Sequence, residues 1–527
     1  MGPGEFVSTH EEQVRPLMTD GALAWWGLNT TGEEEHAKRS QEIREKVGRI
    51  YANEGDYALL KAWDEAGGID DANLARQIRL LHLDYAGSQK DEETIRREAE
   101  LGTKLTQLFT NFRPVVGGEA VAQNELRKIL TDSTDGAQRR EAWEASHAIG
   151  AEAEDDILEI VALRNATATK LGYRDYYEMS LTLSEIPEGE LFATLDRLEE
   201  LIAEPFAAAK AELDAELAAR LGIAVDDLMP WHYADPFFQS APPSGGVDLD
   251  RVFAGKNIEE LALRTYDGLG LEIRPMLEGS DLYPREGKCE HAFCINIDRE
   301  GDVRVLCNIA PSERWMTTTL HEFGHAVYDK YISTELPFFL RRPAHALSTE
   351  AVAILMQRFT QDAAWLTTVA GVDAEEAKGL SAGLTKLARL EKLIFVKWCL
   401  VMCHFERALY GDANLDRNTY WWDLRERHQL ICRPEGRNEP DWAAKIHLAV
   451  APVYYQNYLL GDLMASQMET YLRSASPTGE MVDSRTVGET LVDRLFFDGR
   501  LRDWQSALEH MTGEKLEPAH FLSQYGV

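Results

Sequence analysis

Residues 312–331 read SERWMTTTLHEFGHAVYDKY, and this run decides both the local structure and the chemistry around it. Trp315, Met316, Leu320, Phe323 and Val327 recur at helical spacing, which marks a helix with one buried stripe. Thr317, Thr318 and Thr319 are weak helix formers, so packing must hold this turn. On the polar side His321 and His325 stand one turn apart, so both imidazoles reach one point, and Glu322 faces the same region. Two histidines at this spacing can grip a tetrahedral Zn²⁺ while the carboxylate serves a bound water. With 14 His in 527 residues, chance supplies the pattern in roughly one such chain in thirty. The competing reading is a pair of hydrogen-bonded core histidines.

A zinc site with a position open to substrate needs a third protein ligand. The metzincin continuation would need glycine at 328 and histidine at 331, where Tyr328 and Tyr331 stand, so that class is excluded. Glu350 opens the apolar run Ala351, Val352, Ile354, Leu355 and is the favoured ligand; His345, in a loop near Pro343, is its competitor. Ser348 is read as the N-cap of this helix, expected over 348–360. Three ligands and a water imply amide hydrolysis, with Glu322 accepting the water's proton and delivering it to the leaving amine.

Upstream the period changes to two. Phe293, Ile295 and Ile297 alternate, residues 299–302 turn, and Val303, Val305 and Cys307 alternate again, which predicts a β-hairpin over 292–309. Such a hairpin is either a structural tab or an edge to which an extended peptide can add.

Elsewhere helices dominate. From about Gly21 to Asp267 the chain carries amphipathic spacing, as in Ile43, Val47, Ile50 and Tyr51, interrupted at Gly67-Gly68, Pro187 and the stretch from Pro230 to Gly246, the best linker candidate. Helical runs follow at 373–410 and 452–472, with a C-terminal pair beyond. The chain is 44% hydrophobic, with 12 Trp and 18 Phe, which predicts an ordered, mostly α globule.

Fifty-five Lys+Arg against 89 Asp+Glu give a net charge of −34, which repels phosphate backbones, and nucleic-acid binding is not expected. The acidity either steers cationic substrates or simply keeps the surface solvated, and the second is favoured. No run approaches the ~18 apolar residues of a membrane span. The six cysteines form no CxxC pair, which disfavours thiolate zinc and fits a reducing compartment. A cytoplasmic location is favoured, with a secreted or periplasmic one open if a leader has been removed, since residues 1–6, MGPGEF, read as a cloning remnant.

The stretch from His321 to Glu350, with Leu336-Pro337, Leu340-Arg341-Arg342, Ala344 and Glu350-Ala351, resembles the M2 peptidases, the angiotensin-converting-enzyme family. Tyr420 to Arg425, Gln429 with Cys432, and Arg437 to His447 follow in the same order; His291-Ala292 is similar to that family's substrate-binding strand, and Ala24-Trp25-Trp26 with Asn29-Thr30 more weakly so. The likeness is strong over about 290–470.

By position, the resemblance implies one Zn²⁺ on His321, His325 and Glu350, Glu322 as general base, and His447 as a donor to the substrate and tetrahedral intermediate. Lys445 matches the lysine that grips the substrate's C-terminal carboxylate, and His291 and Ala292 would line the peptide. The tyrosines fit two registers, Tyr454 with Asn457 or Tyr455 with Tyr458; the second is preferred, with Tyr458 donating to the oxyanion and Tyr455 or Tyr454 assisting at the carboxylate. Gln456 or Asn457 stands where the family has a chloride-linked arginine, which makes chloride activation doubtful, and Ile354 replaces an aspartate beside the zinc glutamate. Cys289 and Cys307 match cysteines that extracellular members pair.

The implied fold is mostly α: a large helical two-lobed peptidase with a deep central channel and a small antiparallel β-hairpin beside the zinc helix. One catalytic domain would span 7–527, with a helical part at 7–270, a zinc and substrate-binding core at 271–475 and a helical end at 476–527. The implied activity is release of C-terminal dipeptides from oligopeptides. An M3-type oligoendopeptidase, a single-residue metallocarboxypeptidase and an inactive zinc-stabilised peptide-binding protein are the alternatives. Oligomeric state is not legible.

Overall fold

The computed structural model describes residues 1–242 and 248–526. Helices supply nearly all of its regular structure, and the strands among the described residues form two separate two-stranded ribbons. The fold is mostly α. Two compact units are built from interleaved segments: Met1–Gln89, Val247–Thr385 and Leu460–Phe521 in the first, and Lys90–Gly246, Lys386–Leu459 and Leu522–Val527 in the second. No described helix is long and apolar enough to cross a membrane.

The first unit opens with the helix Pro3–Thr31. Of its two prolines, Pro3 lies in the first turn, where a missing N–H costs nothing, and Pro16 lies within the helix. The opening residues are packed: Phe6 is 4% exposed and lies with His10 and Trp63 in a core shared with Val7, Val14, Tyr51, Leu60 and Phe339. The turn-by-turn repeat Phe6, His10, Val14 builds that buried face.

The hairpin pairs Phe293–Asn296 with Val303–Leu306, in register Phe293 to Leu306 and Asn296 to Val303. Its turn is fixed by side chains: Asn296 Oδ1 accepts from the Arg299 N–H, and Asp298 Oδ1 accepts from Glu300 and Asp302. Just upstream, the fully buried Lys288 ammonium donates to the carbonyls of Asp281, Tyr283 and Cys307 and to the Asp281 carboxylate, tying the approach to the end of the second strand.

The HExxH helix, Glu313–Tyr331, is capped by Ser312 Oγ, which accepts from the Trp315 N–H. Met316, Leu320, Phe323 and Val327 are fully buried. Thr319 is buried as well, and its hydroxyl donates to the Trp315 carbonyl at 2.6 Å, so its polarity is satisfied within the helix. The next helix, Ala346–Gln357, starts two residues earlier than expected. His345, not Ser348, is its N-cap, because the extended His345 backbone lets Nδ1 accept the Leu347 N–H at 3.0 Å. Ser348 lies inside the first turn, fully buried.

The second unit is built on the helices Ile149–Lys170 and Glu188–Leu221 and buries Trp143, Trp398, Trp421, Trp422 and Trp442. Two readings of this region are corrected. Residues 115–120, read as helical, form a ribbon of Val115–Val116 with Glu119–Ala120 around Gly117 and Gly118. Both glycines have positive φ, +63° and +81°, which a two-residue hairpin turn demands. The linker candidate, up to Pro242, is packed and not flexible. Trp231, Tyr233 and Phe238 are at most 9% exposed, and Arg139 donates to the carbonyls of Trp231 and His232 at 2.9 and 2.8 Å. Its aromatic content outweighs its prolines; residues 243–246 of the stretch lie outside the described residues.

Phe6→Ala should lower stability by about 3 kcal/mol. Urea unfolding is the measurement, with the expected result a lower midpoint, where an unpacked side chain would give no shift.

Candidate metal centre

His321 Nε2 and His325 Nε2 stand 3.2 Å apart, and the Glu350 carboxylate reaches them at 3.6 and 3.7 Å. All three ligating atoms fall within 4.8 Å of one another. Tetrahedral zinc with bonds of about 2.0–2.1 Å sets its ligand atoms about 3.3 Å apart, so the triangle fits.

The outer nitrogens explain the orientation of the rings. His321 Nδ1 lies 2.9 Å from Gln357 Oε1, an atom that only accepts, so Nδ1 carries the proton and Nε2 presents a lone pair. His325 Nδ1 is paired with Thr349 Oγ1 at 2.8 Å. Burial, with the His321 ring second, pushes His325 down to about 3, so it is neutral near pH 7. Two imidazole nitrogens and a carboxylate converging on one point form a set of donor atoms that a divalent cation satisfies.

Gly324, inside the HEFGH string, makes this convergence possible. A Cβ there would lie 2.8 Å from Ala353 Cα and 3.2 Å from Met356 Cγ. The two helices thus meet backbone to backbone, which brings Glu350 within reach of the histidines. Thr349 and Gln357 come with it, Gln357 lying two turns beyond Glu350 and so on the same side. Ile354, which replaces the family's aspartate, left the histidines without a named partner in the sequence, and Gln357 and Thr349 fill that part; for Gln357 the seven-residue spacing from Glu350 was the available signal. His345, the rival ligand, has its Nδ1 engaged as the helix cap.

Glu322 is 8% exposed. Burial first and the Glu350 charge second push it up to about 8, and a hydrogen bond from the Cys294 main chain pulls it back. The first hairpin strand is therefore in contact with this carboxylate. His291 and Ala292 directly precede that strand, His291 exposed and Ala292 half-buried. Cys289 and Cys307 are both free thiols.

Lys445, His447, Tyr454, Tyr455 and Tyr458 all belong to the second unit. Lys445 is 7% exposed, and its Nζ donates to Gln239 Oε1 at 2.6 Å and lies 5.1, 5.2 and 5.8 Å from the ring centres of Phe237, Trp398 and Tyr455. Burial pushes it down to about 8 against the opposing pull of Asp235. The His447 ring is 4.9 Å from that of Tyr455, and its Nδ1 is buried without a partner among the described residues. Tyr455 is 4% exposed, whereas Tyr454 and Tyr458 are about 40% exposed with their rings 5.0 Å apart. Gln239 is the residue missed here, hidden in the stretch read as a linker. Arg425 is fully buried, and its Nη1 and Nη2 have no acceptor among the described residues.

Gly324→Ala should force the two helices apart by a few tenths of an ångström and weaken zinc binding by at least about tenfold, since ligand placement tolerates little error. Competition with a chromophoric chelator measures this, and the far-ultraviolet circular dichroism should stay unchanged.

The family described as angiotensin-converting enzyme, peptidase M2, matches residues 3–206 and 280–526. Angiotensin-converting enzyme of Mesocricetus auratus is 22% identical over 574 residues, covering 100% of this chain and 42% of that protein. The Bos taurus enzyme is 25% identical over 566 residues, covering 99% of this chain and 42% of that protein. Angiotensin-converting enzyme-like protein Ace3 of Mus musculus is 26% identical over 246 residues, covering 44% of this chain and 32% of that protein. The chain thus spans about two-fifths of the length of the full-coverage relatives it matches. With the match extending over most of its residues, the chain belongs to the angiotensin-converting-enzyme family, the M2 peptidases.

Proposed function

We propose that the chain is a zinc-dependent peptidase that releases dipeptides from the free C-termini of oligopeptides. The observation that carries the hydrolytic part is the convergence of His321, His325 and Glu350 beside the buried Glu322. His321, His325 and Glu350 would hold Zn²⁺, which would supply a Lewis acid for a peptide carbonyl and lower the pKa of a water. Gln357 and Thr349 keep the histidine rings turned so that their Nε2 lone pairs face inward. Glu322 holds the proton taken from water and passes it to the leaving amine, and the low exposure of its carboxyl keeps bulk water from competing. Main-chain groups of the first hairpin strand, with His291 and Ala292 ahead of it, would hold the peptide in extended form.

The exopeptidase part rests on Lys445. A buried ammonium has three donors, and Gln239 Oε1 takes one, which leaves capacity for a carboxylate. Tyr455 would assist there. His447 is neutral, pushed down to about 4 by burial and then by Lys445, and would donate to the substrate together with Tyr458. Gln239 is added to this group on the strength of its bond to Lys445.

Glu322→Gln should keep its zinc and lose on the order of 10³-fold in kcat, within the range for loss of a general base. Metal analysis beside peptide hydrolysis checks this, and a variant with zinc and full activity removes Glu322 from the mechanism. Lys445→Ala should raise KM for free-acid peptides by about tenfold or more and so lessen the preference for a free C-terminus, as expected for loss of a charge-assisted contact. Product masses from free and C-terminally amidated peptides separate the readings. Dipeptides from free acids alone support ours, internal cuts in both indicate an oligoendopeptidase, single residues a carboxypeptidase, and binding without turnover an inactive peptide-binding protein.

A further inference from the structure

His447, Tyr455 and Tyr458 share one stretch of the second unit whose backbone takes an unusual course. The helix His447–Val450 is a single turn, and Val453 then adopts φ +53°. A β-branched residue in the left-handed region is strained, because its Cβ crowds the following carbonyl. Such a conformation persists where its surroundings over-determine it.

Here both main-chain groups of Val453 are held by buried side chains. Its N–H donates to Glu406 Oε1 at 2.7 Å, and its carbonyl accepts from Gln456 Nε2 at 2.5 Å. Glu406 and Gln456 are each 2% exposed. Arg164 holds the preceding residues: Nη1 donates to the Leu448 carbonyl at 3.3 Å and Nη2 to the Ala449 carbonyl at 2.7 Å, while Nη1 also reaches the Tyr410 hydroxyl at 3.0 Å. A buried carboxyl is costly. Burial pushes Glu406 up to about 8, against the Val453 N–H first and Arg164 second. Both buried polar groups thus serve the same stretch of backbone, and the corner they fix ends at Tyr455, the first residue of the helix Tyr455–Ala475.

We infer that Glu406 is a positioning residue: with Arg164 holding the turn ahead of it, Glu406 imposes the left-handed corner at Val453 and so sets Tyr455 against Lys445 and His447. The inference rests on the proposed substrate-binding role of that cluster. It accounts for the register of the tyrosines, since the corner precedes the helix and Tyr455, not Tyr454, lies buried beside Lys445.

The test is amide hydrogen exchange over residues 453–458 in the full chain, read beside KM and kcat on a free-acid peptide. Glu406→Ala should speed exchange there by at least about tenfold, because the segment loses what holds it closed. Glu406→Gln should stay within about threefold of the parent, since its amide oxygen accepts the same N–H. On a Val453→Gly background, Glu406→Ala should change exchange by less than about threefold, because glycine adopts this φ without strain. KM should rise about tenfold in Glu406→Ala with kcat little changed, as for lost substrate binding.

Unchanged exchange in Glu406→Ala, or an effect equally large on the Val453→Gly background, overturns the inference. Should Glu406→Ala not fold, recovery on that background supports it and continued failure there overturns it. Faster exchange with unchanged KM upholds the corner and discards the substrate role of the cluster, so the two failures read differently.

Discussion

The backbone contact between two helices at Gly324 is the constraint on which the metal centre depends. A histidine pair one turn apart is easily written into any helix, but a third ligand must come from another element, and a carboxylate on a short side chain requires that element to be close. With no side chain at 324, Ala353 settles against the HExxH helix, and Glu350, Thr349 and Gln357 arrive together. The cost is two helices of fixed spacing with little room for adjustment, which suits a site whose ligand atoms must hold their places within a few tenths of an ångström.

The second unit solves a different problem, that of keeping cationic and polar groups in an aromatic interior. Lys445 lies among Phe237, Trp398 and Tyr455 with one amide oxygen in reach. Arg139 is spent on backbone carbonyls, and Arg164 and Glu406 on the stretch that carries His447 and Tyr455. Aromatic faces soften the loss of hydration for a cation without neutralising it, and Lys445 combines three such faces with the Gln239 amide oxygen and the more distant charge of Asp235.

Much of this was legible in the chain itself. The period-2 run at 292–309 and the helical stripe from Trp315 to Val327 report burial directly, and both elements form where the patterns put them. The His321 and His325 pair was readable because tetrahedral geometry restricts spacing, and Glu350 because it stands near the start of the next apolar helix. What escaped reading depends on tertiary neighbours. Nothing local distinguishes His345 from Ser348 as a cap, and Gln357 gains its meaning only once Gly324 has set the helix crossing. Composition misled at 230–242, where prolines suggested a linker and the aromatics beside them bind the segment, and Gln239, into the interior. Gly117-Gly118 was a hairpin signal overlooked amid helical text.

Lys288 carries a consequence of its own. Four oxygens surround its ammonium as they would a bound alkali ion, and no part of its side chain meets solvent. Amine-directed acylating reagents therefore have no route to it while the base of the hairpin is intact. The residue is a silent lysine in the native protein and becomes reactive only when that base opens, which gives the molecule an internal sentinel for the integrity of the strand beside Glu322.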